Sequence, residues 1–152
     1  MTETFSFNAE SLDKVKFELS KYPEDRKQSS VMSLLDIAQR QNGGWLSKSA
    51  IEHVASHLEM PYIKVYEIVT FYSMYYTTPV GKYFVQVCTT TPCWLKGSDE
   101  VVKACKETIS EKQNELSKDG LFSWMEVECL GACVNAPLVQ INDDFYLSLI
   151  HI

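Results

Sequence analysis

The chain has 152 residues, 45% of them hydrophobic, which suffices for one ordinary core, or one core with a small helical appendage, without disulfide staples. A formal net charge of −6 argues against nucleic acid as a partner, since phosphate backbones are gripped by surplus Lys and Arg. No run reaches the roughly 18 apolar residues that a membrane span needs, so no direct membrane insertion is expected.

The first ten residues carry neither a basic n-region nor an apolar h-region, and they are too acidic for an organelle transit peptide. A mature cytoplasmic protein, or one whose presequence has been removed, is therefore expected. Residues 11–80 read as helices. Leu12, Val15 and Leu19 share one face of a first helix that ends before Pro23. Ser29 or Ser30 caps a second, with Val31, Leu34, Leu35 and Ala38 on its buried face and Gly43-Gly44 as its stop. Ser49 with Glu52 three residues on has the pattern of a capping box and opens a third helix through about Leu58. Pro61 fits the first turn of a fourth, which carries Tyr62, Ile63, Val65, Ile68, Val69, Phe71 and Tyr72. That helix is apolar nearly all round, so it must be buried against its own bundle or against a partner.

From Gly81 the texture changes. Lys82–Val87 is aromatic and β-branched, as a mostly buried strand is. Ser98 is placed to cap a helix with Val101, Val102, Cys105 and Ile109 at helical spacing. After a Lys118-Asp119-Gly120 turn, Leu121–Glu128 reads as a second strand, and Leu138–Ile141 with Phe145–Leu147 as a terminal hairpin. These elements predict an α/β chain: an N-terminal helical bundle over residues 1–80, then an α/β domain with a small mixed sheet over 81–152.

Four of the five cysteines come as two close pairs, Cys88/Cys93 and Cys129/Cys133. An odd cysteine count with no secretion signal favours metal ligation or redox chemistry over a disulfide framework. If the two strands are neighbours, the loops after them emerge from one sheet edge and four sulfurs converge. Thr89, Thr90 and Thr91 supply hydroxyls and N–H groups for sulfur, Pro92 sits where a helix can start, and Gly131 removes a side chain so that backbone can approach. Four thiolates suit a two-iron, two-sulfide cluster with two thiolates on each iron. Three readings compete: a structural zinc site, thiol–disulfide exchange, which favours a Cys-x-x-Cys motif absent here, and buried thiols with no ligand.

The residues Val87-Cys88-Thr89-Thr90-Thr91-Pro92-Cys93-Trp94-Leu95-Lys96-Gly97 and Glu128-Cys129-Leu130-Gly131-Ala132-Cys133-Val134-Asn135-Ala136-Pro137 resemble the two cluster motifs of the thioredoxin-like [2Fe-2S] ferredoxin subunit of NADH:quinone oxidoreductase, respiratory complex I. Val65–Tyr75 is similar to that family's signature in the last N-terminal helix, and Ile141–Tyr146 to its closing hairpin, so the likeness runs over about residues 10–147. It implies a thioredoxin-like second domain and one [2Fe-2S] cluster on Cys88, Cys93, Cys129 and Cys133. It also implies a larger flavoprotein partner holding FMN and the NADH site, on which the N-terminal helices pack, within a peripheral arm of further subunits. The expected place is the cytoplasmic face of the inner membrane, or the matrix side in a mitochondrion. Related pairs serve NAD-linked hydrogenases and formate dehydrogenases. Where family members run on with a polar segment, this chain ends in the apolar Tyr146–Ile152.

Other residues carry less. Cys105 sits on an apolar helical stripe and reads as a core thiol. Trp94 reads either as a screen over the cluster or as a core residue. His53 and His57 share a helix face, but no third ligand is evident and a solvated face is the expectation. Glu126 and Glu128 precede Cys129, and no Lys or Arg follows Lys118. They form either a wet strand face or a negative field that lowers a cluster's potential. The chain holds no dinucleotide fingerprint and no acid–base pair, so no catalytic residues and no complete active site are expected on it.

Overall fold

The computed structural model describes residues 4–149. The leader reading at residues 1–3 and the end of the apolar tail, Ile150, His151 and Ile152, lie outside the described residues. The chain divides after Pro79 into two compact units.

The first unit is helical. Helix α1 spans Ala9–Ser20, and the Asn8 side chain accepts the Ser11 N–H at 2.8 Å to cap it. Glu24–Ser30 forms a 3-10 stretch that the periodicity did not announce, because EDRKQSS has no apolar stripe to bury. Ser30 closes that stretch by donating its hydroxyl to the Lys27 carbonyl at 2.6 Å, so its side chain does not cap the helix that follows. Helix α2 spans Val31–Gln41, α3 Lys48–His57 and α4 Tyr62–Phe71. The cap of α3 is Ser47, whose hydroxyl accepts from Ala50 N–H at 3.2 Å, whereas Ser49 bonds the Ser47 hydroxyl at 3.0 Å. The expected capping box is thus one serine out of place. Leu34, Leu35, Ala38, Ala50, Val54, Leu58 and Val65 have no exposed surface and form the middle of this core. Each large one contributes about 1.5–3 kcal/mol of burial.

Of the apolar surface of helix α4, the bundle covers one face. Val65 and Val69 face the core, while Ile63, Tyr66 and Phe71 are exposed, Phe71 by 80%. The His53 and His57 face is not simply solvated. His53 is half-buried, and its ring meets Phe5 and Phe7 edge-on at centroid distances of 5.6 and 5.0 Å.

The second unit holds β1 (Tyr83–Cys88), α5 (Thr91–Leu95), α6 (Ser98–Thr108), β2 (Phe122–Val127), β3 (Val139–Ile141) and β4 (Asp144–Tyr146). The sheet order is β2-β1-β3-β4, with β1 and β2 parallel and β1–β3 and β3–β4 antiparallel. Strand β1 is central, which its run of Phe84, Val85, Val87 and Cys88, all buried, requires. Val85, Val87, Val102, Cys105, Trp124 and Val139 form the core between sheet and α6, so Cys105 is a core thiol, and burial pushes its pKa up. Beyond β2, the N–H groups of Asn114 and Ser117 bond the Trp124 and Phe122 carbonyls, each at 2.8 Å, covering that edge. Helix α6 starts from Gly97 in the left-handed region, and Ser98 makes no cap. Its hydroxyl is buried without a partner among the described residues.

Candidate metal centre

Cys88 is the last residue of β1 and lies opposite Val127, the last of β2. The Thr89 N–H bonds the Val127 carbonyl and the Cys88 N–H bonds the Leu138 carbonyl, both at 3.3 Å. The C-terminal end of β1 is therefore tied on one side to the start of the Cys129 loop and on the other to the chain just past Cys133. Cys93 sits in the middle of α5, whose first turn the Trp94 N–H closes on the Thr90 carbonyl at 2.9 Å. Cys133 opens a 3-10 turn through Asn135, followed by a cis Ala136–Pro137 bond. Parallel pairing thus brings both cysteine pairs to one edge of the sheet.

The pairs differ in environment. Cys88 and Cys93 are buried, at 1% and 0% exposure, whereas Cys129 and Cys133 are exposed, with sulfurs 3.4 Å apart. All four thiols are free. Burial pushes the Cys93 thiol up to about 11, and the neighbouring Cys88 sulfur adds to this. For Cys88, burial acts in the same direction but is outweighed. The Thr90 hydroxyl and the Leu130 backbone hydrogen-bond its sulfur, and the thiol falls below its ordinary value. The Gly131 N–H, 3.4 Å from the Cys129 sulfur, lowers that thiol, with Cys133 and Thr90 helping. The hydrogen bond with Cys129 raises the Cys133 thiol, and the negative charges of Cys129 and Cys88 add to the rise. Each pair thus couples one readily ionised sulfur with one that resists, and the Cys88 charge is felt by all three other thiols.

This donor set fits two irons better than one. Among the described residues, no group of three or more His, Cys, Asp or Glu is placed to hold a single metal ion. A tetrahedral zinc would need all its sulfurs within about 2.3 Å of one point. Two thiolate pairs on opposite sides of a larger unit are what a two-iron, two-sulfide cluster takes. His53 and His57 belong to no such group. Trp94 is 57% exposed, so it is not a core residue, and Val134 beside Cys133 is 98% exposed.

Two details were not legible beforehand. Gly131 has φ +83°, a left-handed backbone that favours glycine, and a Cβ there would meet no protein atom within 4 Å. Of the three loop threonines, Thr90 is the one whose hydroxyl lies beside sulfur, 3.4 Å from Cys88 Sγ.

Fold and site together define an α/β protein that brings two cysteine pairs to the C-terminal end of a parallel strand pair. Residues 15–151 match the thioredoxin-like [2Fe-2S] ferredoxin family, and the chain belongs to that family. It is 57% identical over 146 residues to an NADH-quinone oxidoreductase subunit from Rickettsia typhi (strain ATCC VR-144 / Wilmington), covering 96% of this chain and 86% of that one. It is 50% identical over 145 residues to the mitochondrial NADH dehydrogenase [ubiquinone] flavoprotein 2 of Dictyostelium discoideum, covering 95% and 59%. Its fold is similar to part of a NAD+-reducing [NiFe]-hydrogenase in the H2-reduced state, with a TM-score of 0.63 at 16% identity. That match covers 75% of this chain and 19% of the hydrogenase chain.

Proposed function

We propose that Cys88, Cys93, Cys129 and Cys133 together hold one [2Fe-2S] cluster, and that the chain is the electron-transfer subunit of an NADH:quinone oxidoreductase. The observation that carries this is the convergence of both cysteine pairs at the C-terminal ends of neighbouring parallel strands. Such a cluster, when bound, takes up and returns one electron at a time. The chain's own residues do the rest. The buried Cys88 and Cys93 keep one side of the centre dry, the exposed Cys129 and Cys133 leave the other open to a redox partner, and the N–H groups of Leu130 and Gly131 offset negative charge on sulfur.

The sequence holds no dinucleotide fingerprint, and we assign NADH and FMN to a flavoprotein subunit of the same assembly. The outer face of α4, with Ile63, Tyr66 and Phe71 exposed, supports docking of the N-terminal helices on that subunit. Among the described residues no helix is long and apolar enough to cross a membrane. We place the chain in the peripheral arm, on the cytoplasmic face of the inner membrane, or on the matrix side in a mitochondrion.

Iron and acid-labile sulfide analysis of the purified protein tests the reading. Two of each per chain are expected, with a paramagnetic resonance signal after dithionite. Zinc without sulfide would replace it with a structural site. A host hydrogenase has only the fold likeness behind it; quinone reduction by NADH in the purified assembly separates the two hosts.

A further inference from the structure

Thr90 stands at the N-cap of α5 with extended backbone angles, φ −68° and ψ 166°. A threonine there ordinarily turns its hydroxyl onto an N–H of the first helical turn, which is worth about 1 kcal/mol. Thr90 makes no such cap bond. Its hydroxyl lies 3.4 Å from Cys88 Sγ, within hydrogen-bonding distance of that sulfur. A thiolate carries no proton, so towards a ligand sulfur of Cys88 the hydroxyl is the donor.

We propose that Thr90 is a positioning residue for electron transfer: its hydroxyl hydrogen-bonds the ligand sulfur of Cys88 and so raises the reduction potential of the centre that sulfur helps to hold. This rests on the assignment of the four cysteines as ligands. The sign follows from charge. An added electron makes the sulfurs more negative, and a donor to negative sulfur is stronger than one to a less negative sulfur, so the bond favours the reduced state.

The test is a redox titration of the purified assembly, followed by paramagnetic resonance, with Thr90→Val, Thr90→Ser and Thr89→Val. Thr90→Val is expected to disfavour reduction about tenfold, which is 59 mV downward for one electron. Thr90→Ser keeps the hydroxyl and should titrate with the wild type, as should Thr89→Val. An unchanged potential in Thr90→Val, or an equal shift in the serine variant, overturns the proposal. Should Thr90→Val lose iron, Thr90→Ala is read in its place. Iron loss from both, with Thr90→Ser fully loaded, means that Thr90 serves assembly and not potential, and also overturns it. Absence of iron and sulfide from the wild type is a separate failure, that of the ligand assignment itself.

Discussion

Gly81→Ala is the substitution that most directly probes how the centre is assembled. Gly81 precedes β1 and lies against the start of β2. A methyl group built there would stand 2.5 Å from the Phe122 carbonyl carbon, 2.7 Å from Ser123 N and 2.8 Å from the Leu121 oxygen. All three are backbone atoms, so none can swing aside. Ordinary contact begins at 3.4 Å, and the strands would have to part by about 0.9 Å. The same movement stretches the buried bond from Gly81 N–H to the Ser123 hydroxyl, now 2.9 Å, and the Tyr83 N–H to Leu121 carbonyl bond, also 2.9 Å. Overpacking costs about 1–3 kcal/mol and an unmade buried hydrogen bond a similar amount, so a loss of about 2–4 kcal/mol is expected. Urea unfolding followed by fluorescence of the buried Trp124 measures it, and with a slope of about 1–2 kcal/mol/M the midpoint should fall by roughly 1–4 M. Because β1–β2 pairing also sets the distance between the cysteine pairs, iron content should fall in parallel. A variant of wild-type midpoint and full iron content would refute the idea that this strand contact sets the site.

Trp124 is fully buried and donates its indole N–H to the Ser110 carbonyl at 2.8 Å; Trp124→Phe should cost about 1–3 kcal/mol in urea unfolding followed by circular dichroism. Cys105→Ala removes a core thiol and should leave iron and sulfide per chain unchanged, since Cys105 is not among the four proposed ligands. His53 is held below its ordinary pKa by burial and by His57, so the unfolded chain binds that proton more readily. The stability it contributes is whole above the unfolded value, about 6.5, and is lost as pH falls through it. Thermal melts between pH 7.5 and 5.5 should therefore fall less steeply for His53→Gln than for the wild type. Glu128 is exposed beside Cys129, and Glu128→Gln should raise the midpoint potential in a redox titration by removing negative charge; no shift would leave Glu126 and Glu128 as a wet strand face.

Much of the molecule is written locally. The apolar spacing of Val31, Leu34, Leu35 and Ala38 marks α2, and the β-branched run before Cys88 marks β1, because helix and strand periods depend on residues a few positions apart. The two cysteine spacings likewise point to a four-thiolate centre. Where local signals competed, the reading slipped. Ser47 and Ser49 offer near-equal caps, and the polar EDRKQSS stretch has no stripe to betray a 3-10 turn. Helix α4 is apolar on both faces, so composition could not say which face the bundle would cover.

Tertiary structure decided everything that depends on distant partners. Strands 39 positions apart in the register Cys88 to Val127 could have been neighbours or not, and only their parallel pairing brings Cys129 beside Cys88. The contrast between a buried and an exposed cysteine pair likewise depends on what the fold lays over each. A residue's neighbours along the chain set its conformational preferences, whereas the dielectric and hydrogen bonds around a sulfur are set by what the fold lays against it.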